Sequence, residues 1–583
     1  MNKNDIAAIL DEMGTLMELH GENPFRCKSY KNGAHALSNL DRDLAEVISA
    51  GELGDIPGIG SSMQRNILSL VKTGELKEYT DLKAKTPPGL LEMLRIPGLG
   101  PKKIKVLYQE MDLDTIDKLK AACEDGIVAK KKGFGAKTQQ KILEGIEFLG
   151  QVGNRLRIDQ AMYIGEMILE ELRKCPEIIR MEVCGSLRRR RETAKDIDIL
   201  VSSNEPEPIM EVFVNMPLVM KVTSHGETKS SVIVSEGAGH SQIVMNADLR
   251  IVKDEVFPFA LHYFTGSKEH NIAMRSRAIE YGLKLNEYGL EGEGKSVTAK
   301  DEADIFKALD LSYIPPAMRE NTGEIEASLQ DALPTLLTEK DITGVFHNHT
   351  VYSDGKHTVE EMALAAKKLG MKYLGLADHS QSLTIANGLS PERVLEQQKE
   401  IDEVNKKLKG ITVFKGIECD ILEDGSLDYD DELLSTFDYV VASVHTHFNQ
   451  SEEAMTERVI RAMKNPYVTM LGHATGRLIL RREGYKINLE AVLEAAGETG
   501  TMVEINAQPS RLDLDWVHCK RAKKLGVPLV INPDAHSTGE LGLFRFGVYV
   551  AQRGWLDKAD VFNTKTLAQV KKGLAAKRKA MAG

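Results

Sequence analysis

Val183-Cys184-Gly185-Ser186-Leu187-Arg188-Arg189, followed by Asp196-Ile197-Asp198-Ile199-Leu200, is the stretch on which the reading of this chain turns. The period-two alternation of a strand puts Asp196 and Asp198 on one face, with isoleucines on the other. Two carboxylates that close would repel in a dry site, so they call for divalent cations or solvent. A third carboxylate follows in Ala247-Asp248-Leu249-Arg250. Three carboxylates on adjacent strands can hold two Mg²⁺ ions, one activating an attacking hydroxyl and one neutralising a triphosphate. Gly185 and Ser186 supply backbone and hydroxyl donors for phosphate, and Arg189 supplies charge. Asp196, Asp198 and Asp248 are the candidate catalytic residues.

Downstream lie Tyr263-Phe264-Thr265-Gly266-Ser267, then Asn271, Arg275 and Leu285-Asn286-Glu287-Tyr288. In order and spacing these resemble the thumb of the family X DNA polymerases, and the resemblance covers about residues 1 to 320. It implies a palm over 151–254 and a thumb over 255–320 that binds the nascent base pair. It also implies that Tyr263, Phe264 and Gly266 pack against the sugar of an incoming deoxynucleoside triphosphate. Asn271 would meet the base edge, and Arg275 would lie near the template. On spacing alone, Tyr263 and Phe264 read slightly better as core residues. A nucleotidyltransferase without a template is the rival, against which Asn271 and Arg275 weigh.

Residues 1 to about 150 read as short amphipathic helices, divided at 85 into two helix-hairpin-helix regions. Ile56-Pro57-Gly58-Ile59-Gly60 recurs as Ile96-Pro97-Gly98-Leu99-Gly100 and, more weakly, as Gly133-Phe134-Gly135-Ala136-Lys137. Gly-apolar-Gly before a helix turns the backbone tightly and aims N–H groups at a phosphate without reading bases. Lys102, Lys103 and Lys137 stand beside these turns. Residues 95 to 141 hold eleven Lys or Arg against six Asp or Glu. With the arginines at 188 to 191, they provide local basic surface in a chain of net charge −11. The pattern resembles helix-hairpin-helix DNA-binding motifs, and gapped or primed DNA is the expected partner. Family members that excise a 5′ deoxyribose phosphate use a lysine on the helix after the first hairpin. Asn66 stands at that place here, which argues against lyase activity.

A polar stretch over 321–340 reads as a linker. From 341 to 583, apolar runs alternate with helical ones and each ends in a polar residue, as in a βα barrel with its site at the strand C-termini. Those ends collect His347, His349, Asp354, His379, Glu418, His445, His473, Asp534 and His536. Mixed imidazole and carboxylate donors suit Zn²⁺, Mn²⁺ or Fe²⁺. His347-Asn348-His349-Thr350 with Tyr352-Ser353-Asp354-Gly355 resembles the first motif of the PHP (polymerase and histidinol phosphatase) domain. That resemblance implies a distorted seven-stranded α/β barrel with up to three Mn²⁺ or Zn²⁺ ions. His347, His349, Glu418 and Asp534 would hold one, Asp354, His379 and His536 a second, and Glu418, His445 and His473 a third. Arg477, Arg481 and Arg511 are candidate phosphate contacts, whereas His357 and His447 fit no ligand position. Together the two resemblances imply gap filling in base excision repair with a tethered 3′-to-5′ exonuclease. They leave open an abasic-site endonuclease, a small-molecule phosphatase or a structural module.

The fold class expected is thus multidomain: an all-α N-terminal region, an α+β nucleotidyltransferase palm and thumb, and a C-terminal α/β barrel. At 583 residues the chain is too long for one core. No run approaches the roughly 20 apolar residues of a membrane span, and the start lacks signal-peptide order, so a cytoplasmic protein is expected; a monomer is the expected state, on which the sequence itself is silent. The six cysteines contain no CxxC pair and read as buried apolar residues.

Overall fold

A computed structural model describes residues 1–578 apart from 39, 41, 240 and 241. Its contacts resolve two compact units. One holds Met1–Arg155 with Val214–Ser224 and Ser231–Ala247, and the other holds Leu156–Phe213, His225–Ser230 and Asp248–Gly583. The palm read as 151–254 is thereby divided. Part of its outer edge joins the N-terminal helices because Ala238 packs against their core of Ile6, Leu10, Met13, Ile59 and Ile67.

The first unit is helical in its N-terminal 155 residues, as expected. Its opening helix, Lys3–His20, starts on a capping box in which the Asn2 side chain accepts from Asp5 N–H while the Asp5 side chain accepts from Asn2 N–H. One face of that helix contributes to the first core. Leu16 and Leu19 go to a second core with Leu90, Ile96, Leu99, Ile104 and Phe134. The two helix-hairpin-helix regions therefore share one helix.

In the second unit, strand Arg180–Val183 pairs antiparallel with Asp196–Ser202, Val183 opposite Ile199. The strand ends at Val183, because Gly185–Arg188 already forms a helical turn. Asp248 stands on strand Ile243–Val252, which is next to Asp196–Ser202 in the sheet. The thumb follows as helices Phe257–Thr265 and Lys268–Glu280.

Seven parallel strands run in sequential order from Gly344–Val345 to Leu529–Asn532. A parallel bridge between Asn348 and Ala535 joins the segments after the first and last strands, so the sheet nearly closes. Phe346, Tyr373, Phe414, Tyr439 and Phe562 fill its interior. Gly375 and Gly416 leave the room that the Tyr439 ring occupies. With the interior packed, chemistry is confined to the rim.

The stretch 321–340 is no free linker. It contains helix Glu324–Leu329, whose first residue is buried with its carboxylate 2.8 Å from His270 Nδ1. Further on, the Leu337 N–H donates to Leu556 O and the Leu337 carbonyl accepts from the Gln552 side chain. Polar composition hid a strap tied down at a few points, where the buried Glu324 and Ser328 bond to His270 and to Ser312 O.

Candidate active sites

Asp196 and Asp198 sit on one face of their strand, half-buried, between the buried Ile197 and Ile199. Asp198 is pushed up to about 6 by burial and by the charges of Asp196 and Asp248. The neighbouring Lys229 Nζ lies 3.6 Å from Asp248. An all-carboxylate donor set suits hard divalent cations such as Mg²⁺, although among the described residues the ligand groups converging within 4.8 Å do not include these three aspartates. Gly185 has φ +60° and lies so close to the Asp198 carboxylate that a Cβ would collide with it. The adjacent Cys184 N–H donates to the Asp198 carbonyl at 2.8 Å. The glycine turn and the aspartate strand are thus held as one piece.

Tyr263 and Phe264 are half-buried and edge to face at 5.1 Å, and Phe264 packs against the cluster of Cys184, Leu200, Phe257, Ala260 and Leu261. Arg250 lies over the Phe264 ring at 4.6 Å. Asn271 donates to the Tyr263 carbonyl at 2.7 Å and keeps its own oxygen unpaired, and Gly266, at φ +45°, sits against that amide. Arg275 is exposed. Arg189 is not free to meet a phosphate in this conformation. Its side chain donates to Thr265 O at 2.6 Å and to Glu320 at 3.1 Å.

The three glycine turns are alike in detail. In each, the N–H of the middle apolar residue bonds back three residues: Ile59 to Ile56, Leu99 to Ile96 and Phe134 to Lys131. Those apolar side chains are buried, which anchors the turn. Gly58, Gly98 and Gly133 have φ of +93°, +77° and +94°, a region that favours glycine. Gly60 and Gly100 cap helices Ser61–Thr73 and Pro101–Met111 without a capping side chain, and Gly135 opens Gly135–Val152. Added Cβ atoms at Gly60, Gly98, Gly100, Gly133 and Gly135 would meet nothing within 4 Å. Lys102 and Lys137 are exposed and Lys103 half-buried. Asn66 spends its amide on the Tyr30 hydroxyl at 2.9 Å.

The barrel rim gathers all nine candidate ligands. Glu418 Oε1 lies 3.2 Å from His347, 3.2 Å from His445 and 2.9 Å from His473, and Oε2 lies 2.8 Å from His379. Asp354 lies 3.4 Å from His536 and 3.6 Å from His379, and Asp534 lies 3.1 Å from His349. The tight groups are His349-Asp354-His379-His536, His347-His349-Asp534, His347-Glu418-His473 and His379-Glu418-His445. The expected Asp354, His379 and His536 set is present with His349 added. Glu418 reaches both His445 and His473, although those two fall in different groups. Burial alone would raise the Glu418 pKa, yet His347, His445 and His379 hold it well below the usual range. His349, buried beside His536 and His379, is pushed down to about 3. Nδ1 of His349 and of His473 are buried without a hydrogen bond, and the close approaches of His379 Nδ1 to Glu418 Oε2 and of His347 Nε2 to Glu418 Oε1 are not aligned as hydrogen bonds. Orphaned imidazole and carboxylate donors converging this way fit transition-metal ions.

The chain is 39% identical over 572 residues to the DNA polymerase/3′-5′ exonuclease PolX of Bacillus subtilis (strain 168), covering 98% of this chain and 99% of the relative. The chain belongs to the family X DNA polymerases with a fused PHP domain. Models of a helix-hairpin-helix domain match residues 1–76, of a SAM-like helix-hairpin-helix tandem 90–147, of the DNA polymerase beta thumb 260–320 and of the PHP domain 346–508. DNA polymerase lambda of Rattus norvegicus is 24% identical over 324 residues, 51% of this chain and 52% of that one. A probable phosphatase of Thermoanaerobacter sp. (strain X514) is 30% identical over 248 residues, 41% of this chain and 96% of that one.

In this family member the supports of the barrel centre include residues the sequence reading missed. The buried Glu504 carboxylate lies 2.6 Å from His347 Nδ1 and accepts the His473 N–H at 2.7 Å. Asp420 holds His445 Nδ1, and Asp378 accepts from Thr350 and Ser353. Such partners set which nitrogen faces a metal. Their signal was a carboxylate inside or beside an apolar strand. Of the three candidate phosphate contacts, Arg511 lies 3.6 Å from Asp534, Arg481 is exposed, and Arg477 is paired with Glu192 at 2.6 Å. His357 and His447 lie outside the metal-ligand groups.

The basic run 188–191 is largely consumed inside the second unit. Arg188 pairs with Glu302 at 2.6 Å, Arg190 lies over the Tyr549 ring at 4.3 Å, and Arg191 lies 3.7 Å from Glu320. Glu320 also pairs with Arg553 at 2.9 Å. The run thus clasps palm to thumb and to barrel, which corrects its reading as open basic surface.

Proposed function

We propose that this chain is a template-directed DNA polymerase that fills short gaps in base excision repair. Its barrel acts as a 3′-to-5′ exonuclease and as an abasic-site endonuclease. The observation that carries this reading is a three-aspartate palm and a nine-ligand barrel rim in one chain, alike from end to end to a polymerase/exonuclease. Asp196, Asp198 and Asp248 would hold two Mg²⁺ ions, and the nine rim ligands up to three Mn²⁺ or Zn²⁺ ions. Divalent cations at these places supply Lewis acidity at phosphoryl oxygens and acidify a hydroxyl or water. The residues of the chain do the positioning. Gly185 and Ser186 offer donors to the triphosphate, and Tyr263, Phe264 and Gly266 form the wall for its sugar. Asn271 offers its unpaired oxygen toward the base edge, and Arg275 stands where a template strand would pass. The hairpin N–H groups, with Lys102, Lys103 and Lys137, hold the DNA backbone. The protein works as a monomer in the cytoplasm. Among the described residues no helix is long and apolar enough to cross a membrane.

The deciding assay offers gapped DNA with a 3′ mismatch in Mg²⁺ or Mn²⁺, with and without nucleotides. Removal of the mismatch followed by templated extension is expected. Asp248→Asn should lose extension by several orders of magnitude and keep DNA binding and 3′ removal. Retained extension would overturn the palm assignment. Similarity to a probable phosphatase over nearly its full length favours a second reading, hydrolysis of small phosphomonoesters. Rapid turnover of such esters with inert DNA ends would establish it instead.

A further inference from the structure

Beside the barrel's metal ligands stands a column of planar groups with no assigned role. Phe448 lies three residues beyond His445, on the loop that leaves that strand. The Tyr485 ring stacks on Phe448 with centroids 5.7 Å apart and planes 12° apart. The Arg482 guanidinium lies over the Phe448 ring at 4.7 Å. This column is built rather than incidental. Tyr485 O–H donates to the carbonyl of Ala474, next to His473, at 2.9 Å, and Arg482 donates to the Gly476 carbonyl at 2.6 Å. Leu478 and Arg482 form a backbone bridge that closes the hairpin between them. Arg482 is exposed, while Phe448 and Tyr485 are half-buried. Arg511 lies 3.6 Å from the ligand carboxylate of Asp534. The exposed Arg482 on the column and Arg511 beside that carboxylate are cations suited to a phosphodiester. Aromatic and guanidinium planes are sequence-tolerant platforms for unpaired bases.

We infer that Phe448, Arg482 and Tyr485 form a nucleobase subsite that stacks the unpaired 3′-terminal base while Arg511 and Arg482 contact the adjoining phosphodiester. The subsite rests on the exonuclease reading above and deepens it. It selects frayed or mismatched ends, because only an unpaired base can leave the duplex to join the column. A paired terminus must first surrender its own stacking.

The test compares 5′-labelled single strands ending in an ordinary nucleotide with strands ending in a tetrahydrofuran abasic residue, in Mn²⁺. The full-length chain should prefer the base-bearing end by about tenfold in kcat/KM. Phe448→Ala and Arg482→Ala should each bring that ratio near one, mainly through a higher KM on the base-bearing end. Phe448→Trp should restore the ratio. Bound metal and Tm, measured alongside, separate lost stacking from lost structure. A preference that persists while both rates fall together would make the column structural only and overturn the inference. An unchanged KM for the base-bearing end in Phe448→Ala would overturn it too. Intact DNA degradation with insensitive variants removes the subsite alone. A wild-type chain that cleaves small phosphoesters but no DNA removes the exonuclease reading, and the subsite with it.

Discussion

Asp198 shows how one side chain carries both function and cost. Its carboxyl is raised from 3.8 to about 6 in the fold, first by burial and then by Asp196 and Asp248. Below about pH 4 the group is neutral whether folded or unfolded, and its charge costs nothing. As pH climbs toward 6, the unfolded chain ionises first, so stability falls, and above about 6 the full penalty applies. Asp198→Asn removes that charge. In metal-free buffer at pH 7.5 this variant should melt higher than the wild type, by about 2 °C, with the gain fading toward pH 4. Saturating Mg²⁺ should narrow the difference by stabilising the wild type. A variant that melts lower than the wild type at pH 7.5 would refute the repulsion account. Single residues of this kind were legible in the sequence, because a carboxylate or histidine at the end of an apolar strand has few structural uses. Glu504 was not. It lies inside its strand, and only its 2.6 Å approach to His347, 157 positions away, gives it meaning.

At the scale of elements, the glycine hairpin was read directly, since a buried residue between two glycines leaves the turn few conformations. Gly98 at φ +77° with open space around it isolates the backbone contribution. Gly98→Ala meets no clash, only the left-handed penalty of about 1 kcal/mol. Its DNA affinity should fall several-fold at every salt concentration with the slope of log K against log salt unchanged. Lys102→Ala should instead lower that slope by about 1. Fluorescence anisotropy titrations from low to moderate salt check both, and a changed slope in Gly98→Ala would point to a lost ion contact instead. The strap at 321–340 was misread for the opposite reason. Glu324 looks like solvent-exposed polarity until His270, 54 positions earlier, is found 2.8 Å away. Pairing over such separations leaves no periodic trace in a sequence.

At the scale of the whole molecule, the two chemistries are separable by point changes, and by cutting only at a cost in stability. His349→Ala removes one nitrogen donor, whereas Glu418→Ala removes a carboxylate within 3.2 Å of four imidazoles. The second should therefore lose more bound metal and more 3′ degradation, with gap filling intact in both. Metal analysis beside the two assays reads this out, and equal losses would contradict a shared central ligand. A fragment ending near residue 330 should extend primers yet lose all 3′ degradation. It should also melt below the full chain, because the Leu337 end of the strap, bonded to Leu556 and Gln552, and the Arg190–Tyr549 contact go with the barrel. Degradation by that fragment at the full-length rate would relocate the nuclease.

The clasp formed by the arginines at 188 to 191 bears on descent as well as on folding. Tyr549 and Arg553 belong to the barrel, while Glu302 and Glu320 belong to the thumb region. A lineage that discarded the barrel would uncover Arg190 and leave Glu320 one cation short, so selection at those positions would relax or change direction. Residues 190 and 320 should then drift in descendants without a barrel and change in concert with 549 and 553 where the barrel is kept. The seam is thus a record of how long the two enzymes have shared one chain.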